Sequence, residues 1–140
     1  MPFKTSRTIQ FGDCDPAGFV YTPRTPRIAH FVVEAALEFL AHVLGGNAAR
    51  QLLSMGVLPP ARSLSIDFLK PITWDDLIDI EAIVVEIRAQ SYSILFTART
   101  ENNHTAFRAT LVQVSVSPKT KRPVPLPARL RAALTLSQND

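Results

Sequence analysis

Apolar residues recur at helical spacing through residues 28–44. Ile28, Phe31, Val32, Ala35, Phe39, Leu40 and Val43 cover more than one face, which predicts a helix buried on most sides. The polar residues that interrupt them, His30, Glu34, Glu38 and His42, stand four apart on one narrow stripe, and Gly45-Gly46 supplies a stop. Further along, the period changes to two. Leu64, Ile66 and Phe68 alternate with Ser63, Ser65 and Asp67, the pattern of a strand with one buried face. Residues 77–88 are rich in Ile and Val, but their phase slips near Ala82, which predicts a long strand with a bulge or with both faces partly covered. Tyr92, Ile94, Phe96 and Ala98 share one face of a strand over 92–100, and Glu101-Asn102-Asn103-His104 reads as a hairpin turn into another over 106–117.

Shorter elements complete the pattern. Residues 6–11 predict a first strand, Gly56 and Pro59-Pro60 mark a loop after the long helix, and residues 127–134 predict a terminal helix behind a basic, Pro-rich stretch over 119–127. The order is strand, long buried helix, then four mostly antiparallel strands. A sheet of that size needs a cover on one face, and the apolar helix is the element able to provide it, so the expected class is α+β.

Composition narrows the setting. A chain of 140 residues with 46% hydrophobic content has room for one core, so a single domain over 1–140 is expected. No run of about 18 apolar residues occurs, and Gln10 and Asp13 follow MPFKTSRT where a signal peptide would have its apolar centre. The expectation is a cytoplasmic protein with no membrane partner. One cysteine allows neither an internal disulfide nor a Cys-rich zinc site. A formal charge of +3 is too small to imply nucleic acid, though it suits a small phosphate-bearing ligand.

The stretch from Phe11 to Arg24 reads FGDCDPAGFVYTPR and places two aspartates around the single cysteine. Gly12-Asp13-Cys14-Asp15-Pro16-Ala17-Gly18 with Val20-Tyr21, then Phe68-Leu69-Lys70-Pro71 with Trp74-Asp75-Asp76-Leu77, then Lys121-Arg122-Pro123-Val124-Pro125-Leu126-Pro127 resemble, in that order, the hotdog-fold acyl-CoA thioesterases of the 4-hydroxybenzoyl-CoA thioesterase type. The resemblance runs nearly the whole length. It implies a sheet wrapped around one long central helix, no cofactor, an acyl-CoA substrate, and a homodimer or homotetramer with sites at subunit interfaces. It also implies that Asp15 is the catalytic carboxylate and that Gly18, Tyr21 and His30 line the acyl group. Arg88 and Ser91 then stand where relatives approach CoA, and Lys119, Lys121 and Arg122 are candidates for its phosphates.

Thioester hydrolysis needs a base or nucleophile, donors aimed at the developing oxyanion, and a pocket that excludes bulk water. Asp15 opens an Asp-Pro-Ala-Gly turn, in which Pro16 and Gly18 fix the backbone that carries the carboxylate. Asp13, two residues earlier, points the same way if the stretch is extended, and two adjacent carboxylates disfavour joint ionisation. Otherwise Asp13 caps a turn. Cys14 is a poor nucleophile between two acids and is expected to fill the core.

The oxyanion donors are expected among unpaired amides at the start of the long helix. Thr22-Pro23 and Thr25-Pro26 both read as cap plus first helical proline. The resemblance favours Thr22 and makes Pro26 a departure. His30 is a second departure, at a site where relatives often have a carboxylate. It either reads the far end of the acyl group or belongs to a solvated or interface stripe with Glu34, and a metal site there would have only these two candidate ligands. The rival readings are an acyl-carrier-protein thioesterase and a non-catalytic acyl-CoA binding module.

Overall fold

The computed structural model describes residues 2–14, 19–20 and 25–138. Five strands form one antiparallel sheet in the order β1-β5-β6-β7-β3, with β1 at Phe3–Thr8, β3 at Ala61–Phe68, β5 at Leu77–Ile87, β6 at Ser91–Thr100 and β7 at Thr105–Val114. A two-stranded ladder joins β2 (Phe19–Val20) to β4 (Ile72–Thr73). The helices are α1 (Thr25–Leu44), α2 (Ala48–Ser54) and α3 (Ala128–Gln138).

Alternation in the sequence becomes two unlike faces of the sheet. Ile78, Ile80, Ala82 and Val84 of β5, Tyr92, Ile94, Phe96 and Ala98 of β6, and Phe107, Ala109 and Leu111 of β7 are buried. Ile28, Phe31, Val32, Ala35, Ala36, Phe39 and Leu40 of α1 are buried with them in one core. Each large side chain sealed in this way contributes about 1.5–3 kcal/mol, which accounts for α1 forming as one long element across the sheet. The C-terminus of α1 is closed by Gly45 and Gly46, with φ of 84° and 125°, conformations cheap only for glycine. Its Leu44 carbonyl accepts from Gln51 Nε2 at 2.9 Å and from an Arg129 guanidinium nitrogen at 3.1 Å.

Several boundaries differ from those expected. The first strand covers Phe3–Thr8, since Phe11 opens a 3-10 turn over Phe11–Asp13. The irregularity in β5 falls between Val84 and Glu86, and Ala82 keeps its inward phase. The last strand ends at Val114, and α3 runs to Gln138. Helix α2 was not expected at all: it has seven residues and starts from Asn47 in a left-handed conformation, too short a run to display a period.

Candidate active site

The segment that carries Asp15 lies between two anchors. On its upstream side, Ile9 donates to the Asp76 carbonyl and Asp75 donates back to the Ile9 carbonyl, both at 2.8 Å. The 3-10 turn follows. Asp13 is only 4% exposed, and its Oδ2 accepts from the Gln10 N–H at 2.8 Å. Its Oδ1 accepts from Arg27 Nε at 2.7 Å. Asp13 therefore caps its own turn and pairs with a helix residue, and its own backbone belongs to a 3-10 turn rather than to an extended strand. Cys14 is buried in the core with its Sγ 3.7 Å from the Gln10 carbonyl oxygen, as a core-filling side chain should be. On the downstream side, Phe19 and Val20 pair with Thr73 and Ile72. Asp15 and Gly18, like Tyr21 and Thr22, lie outside the described residues.

Two aromatic residues stand beside these anchors. Phe11 is 77% exposed and meets Trp74 edge to face, with centroids 5.6 Å apart. Leu69 and Leu77, at the same end of the sheet, are also exposed.

Helix α1 begins at Thr25. Pro26 has no N–H, so the amides of Thr25, Arg27 and Ile28 are those the first turn can direct at an anion, where the helix dipole also favours negative charge. Thr25 with Pro26 is one of the two starts the sequence offered, and the other, Thr22 with Pro23, lies outside the described residues.

His30 is 58% exposed, with Nε2 3.5 Å from Glu34 Oε2. The stripe continues through Arg7 of β1, whose guanidinium lies 3.7 Å from Glu34 and 2.5 Å from Glu38. Burial pushes the Glu38 carboxyl up, but hydrogen bonds from Thr5 and Arg7 and the charge of Arg7 outweigh it and hold the group below its ordinary value. Within one chain His30 sits on an exposed ionic stripe. Among the described residues no three His, Cys, Asp or Glu side chains gather as metal ligands.

Arg88 and Ser91 line a cavity of about 320 Å³ with Arg62, Ser63, Glu86, Ser93 and Val112. The register places Ser63 opposite Val112, Val112 opposite Ser93 and Ser93 opposite Glu86, a row on the face of the sheet away from α1. Arg88 is ion-paired with Glu86, so the pair of arginines carries less net charge than its count suggests. The turn bearing Arg88 is held by α3, through an Arg131 guanidinium nitrogen 2.6 Å from the Arg88 carbonyl. Lys119, Lys121 and Arg122 are exposed on the turn after β7 and are not among the lining residues. Arg62, Ser63 and Ser93 were missed as site candidates. The outward phase of Ser63 and Ser93 was readable, whereas Arg62 shares the parity of Leu64 and is turned out only by the register shift between Ala61 and Ser63; the convergence of all three with Arg88 depends on β3, β6 and β7 being neighbours.

The known proteins that this chain matches share its architecture. The thioesterase-like superfamily matches residues 9–134. A 1,4-dihydroxy-2-naphthoyl-CoA hydrolase of Thermosynechococcus vestitus is 30% identical over 132 residues, covering 91% of this chain and 87% of that protein. One from Crocosphaera subtropica is 28% identical over 137 residues, covering 96% and 97%. Among solved structures, the 4-hydroxybenzoyl-CoA thioesterase of Pseudomonas superposes with a TM-score of 0.80 at 22% identity, covering 94% of this chain and 97% of that one. A 1,4-dihydroxy-2-naphthoyl-CoA thioesterase from Synechocystis gives 0.78 at 21% identity, with 96% of each chain covered. The fold is the α+β hotdog fold, and by a match extending from Ile9 to Leu134 the chain belongs to the thioesterase-like superfamily.

Proposed function

We propose that this protein is an acyl-CoA thioesterase that hydrolyses an aromatic or short-chain acyl-CoA to the free acid and CoA, with Asp15 as general base or nucleophile. The observation that carries the reading is the superfamily match over residues 9–134, which includes the Asp-Cys-Asp-Pro-Ala-Gly segment at the junction of sheet and helix. Relatives named as 1,4-dihydroxy-2-naphthoyl-CoA hydrolases favour an aromatic acyl group over a short aliphatic one. In the reaction, the Asp15 carboxylate removes a proton from the attacking water or itself attacks the thioester carbonyl. The carbonyl oxygen becomes an oxyanion that accepts hydrogen bonds from amides at the start of α1, and the C–S bond breaks as CoA leaves as the thiol; on the nucleophilic route water then cleaves the acyl-Asp15 anhydride, releasing the free acid and regenerating the carboxylate. Gly18, Tyr21 and Thr22 belong to the acyl pocket and its oxyanion donors in this reading, and His30 reads the distal end of the acyl group.

The cavity of Arg62, Arg88, Ser63, Ser91 and Ser93 suits phosphate oxygens, which take charge-assisted bonds from guanidinium and hydroxyl donors. Lys119, Lys121 and Arg122 add a long-range positive field. Within one chain, however, the described residue that anchors the chain upstream of Asp15 and the arginine cavity stand apart. Ile9, upstream of the Asp15 segment, is tied to Asp76 just before β5, and Arg88 follows the far end of β5, a strand roughly 33 Å long at the usual rise. That exceeds the reach of a pantetheine arm, so one CoA bridges the two halves only when a second copy contributes one of them. We therefore read the protein as a homodimer, or a homotetramer built from it. The exposed Phe11, Leu69, Trp74 and Leu77 and the sheet edge at β3 support such assembly. A single 140-residue domain in a reducing cytoplasm completes the reading.

The test is steady-state release of CoA thiol from a panel of benzoyl-, hydroxybenzoyl-, dihydroxynaphthoyl- and short aliphatic CoA esters, with the matching acyl-carrier-protein esters beside them. Highest kcat/KM is expected on an aromatic CoA ester. Binding of these esters without turnover would replace the enzyme with a binding module, and a preference for the carrier protein would replace its substrate.

A further inference from the structure

We propose that the Asp13–Arg27 ion pair is a positioning clamp that sets the Asp15 segment against the first turn of α1, an inference that rests on the thioesterase reading and adds two residues to it. Asp13 is nearly sealed, and both its carboxylate oxygens are in use: one accepts from the Gln10 N–H at 2.8 Å, the other from Arg27 Nε at 2.7 Å. Arg27 is itself fixed. Its guanidinium carbon lies 4.9 Å from the ring centroid of Phe31, one turn further along α1, and Phe31 is part of the core. The guanidinium is thus held between a cation–π contact on the helix and a carboxylate on the loop.

The position of the pair is what gives it consequence. It joins residues 14 apart in sequence, and the chain it closes contains both the proposed carboxylate and the start of the helix whose amides face the oxyanion. Asp15 is two residues from Asp13, so their Cα atoms are at most about 7 Å apart. Arg27 is in the first turn of α1. A shift in the Asp13–Arg27 distance therefore displaces one part of the machinery relative to the other. Displacements of about 1 Å between reacting groups lower rates by up to about 10²-fold. Arg27 is 46% exposed but Asp13 is nearly sealed, so losing the partner also costs stability, and the split between kcat and KM together with rescue by Arg27→Lys separates positioning from that cost.

The experiment compares Arg27→Gln, Asp13→Asn, the double variant and Arg27→Lys in the full-length protein. Each single variant should lower kcat about 10- to 100-fold with KM changed less than about threefold. The double variant should be no worse than the worse single one, and Arg27→Lys should recover part of the loss. Amide hydrogen exchange supplies a readout independent of activity: residues 15–24 should exchange faster in Arg27→Gln while β5 to β7 keep their protection. Wild-type kcat in folded Arg27→Gln, losses that multiply in the double variant, or unchanged exchange over 15–24 would each overturn the clamp. An inactive wild type would instead overturn the thioesterase reading, and the exchange result would still decide the clamp.

Discussion

Tyr92→Phe removes one oxygen atom from the sealed interior of the sheet, and its cost can be worked out from the partner left behind. Tyr92 and Gln113 face each other across β6 and β7, both are buried, and the tyrosine hydroxyl donates to Gln113 Oε1 at 2.8 Å. Burial holds the phenol well above its ordinary pKa, so it is a neutral donor at physiological pH. The variant leaves the Gln113 carbonyl oxygen buried with its donor gone, a penalty of about 1–3 kcal/mol. In a chain of this size that lowers Tm by roughly 3–12 °C. Gln113→Leu should cost a similar amount by stranding the hydroxyl. The pair Tyr92→Phe with Gln113→Leu removes both polar groups and should recover most of the loss. Urea unfolding at fixed protein concentration gives the three differences, with concentration held because assembly contributes to stability. A neutral or stabilising Tyr92→Phe, or a double variant as unstable as the two single ones added together, would refute the reasoning.

Three further outcomes follow from the geometry. Arg62→Ala and Arg88→Ala should each raise KM for an aromatic CoA ester about 3- to 30-fold and flatten its rise with added salt, while a truncated pantetheine thioester responds to neither change; equal responses of both esters in kinetic assays would remove the cavity from the CoA site. The folded pKa of Glu38 is depressed, so its contribution to stability is present above the unfolded value of about 4.3 and is lost as pH falls through the lower folded value. Glu38→Gln should therefore show a shallower acid loss of Tm than wild type below that pH, and an unchanged slope would contradict the assignment. Cys14→Ala should lower stability through its core cavity yet keep kcat within several-fold, and a folded but inactive variant, seen in the same thiol-release assay, would move the chemistry to sulfur.

What the sequence disclosed followed from local regularity. The helical period of Ile28 to Leu44 and the alternation of Tyr92 to Ala98 survive in the structure because each is enforced by one continuous buried face. The bulge in β5 was visible as a broken phase but misplaced, because Ala82 packs inward as well as a larger residue would and Val85 is where the strand turns outward. Helix α2 was too short to show a period. The segment from Asp13 to Gly18 stood out only through its resemblance to the thioesterase family, since residue types alone allow a plain polar turn there. Arg27 did not stand out, since its meaning depends on a carboxylate 14 residues away brought close by the entry of α1. The partnership of Arg62 with Arg88 was equally hidden, because it exists only once β3, β7, β6 and β5 stand side by side.

Asp15 carries the central claim, and its most direct test is kcat for CoA release from the preferred aromatic ester by Asp15→Asn, measured beside wild type with folding checked by circular dichroism. The substitution keeps the shape of the side chain and removes its basicity and nucleophilicity. The account predicts a fall in kcat of about 10²–10⁴-fold with the ester still bound at near wild-type KM. Turnover within a few-fold of wild type by the folded variant would contradict it.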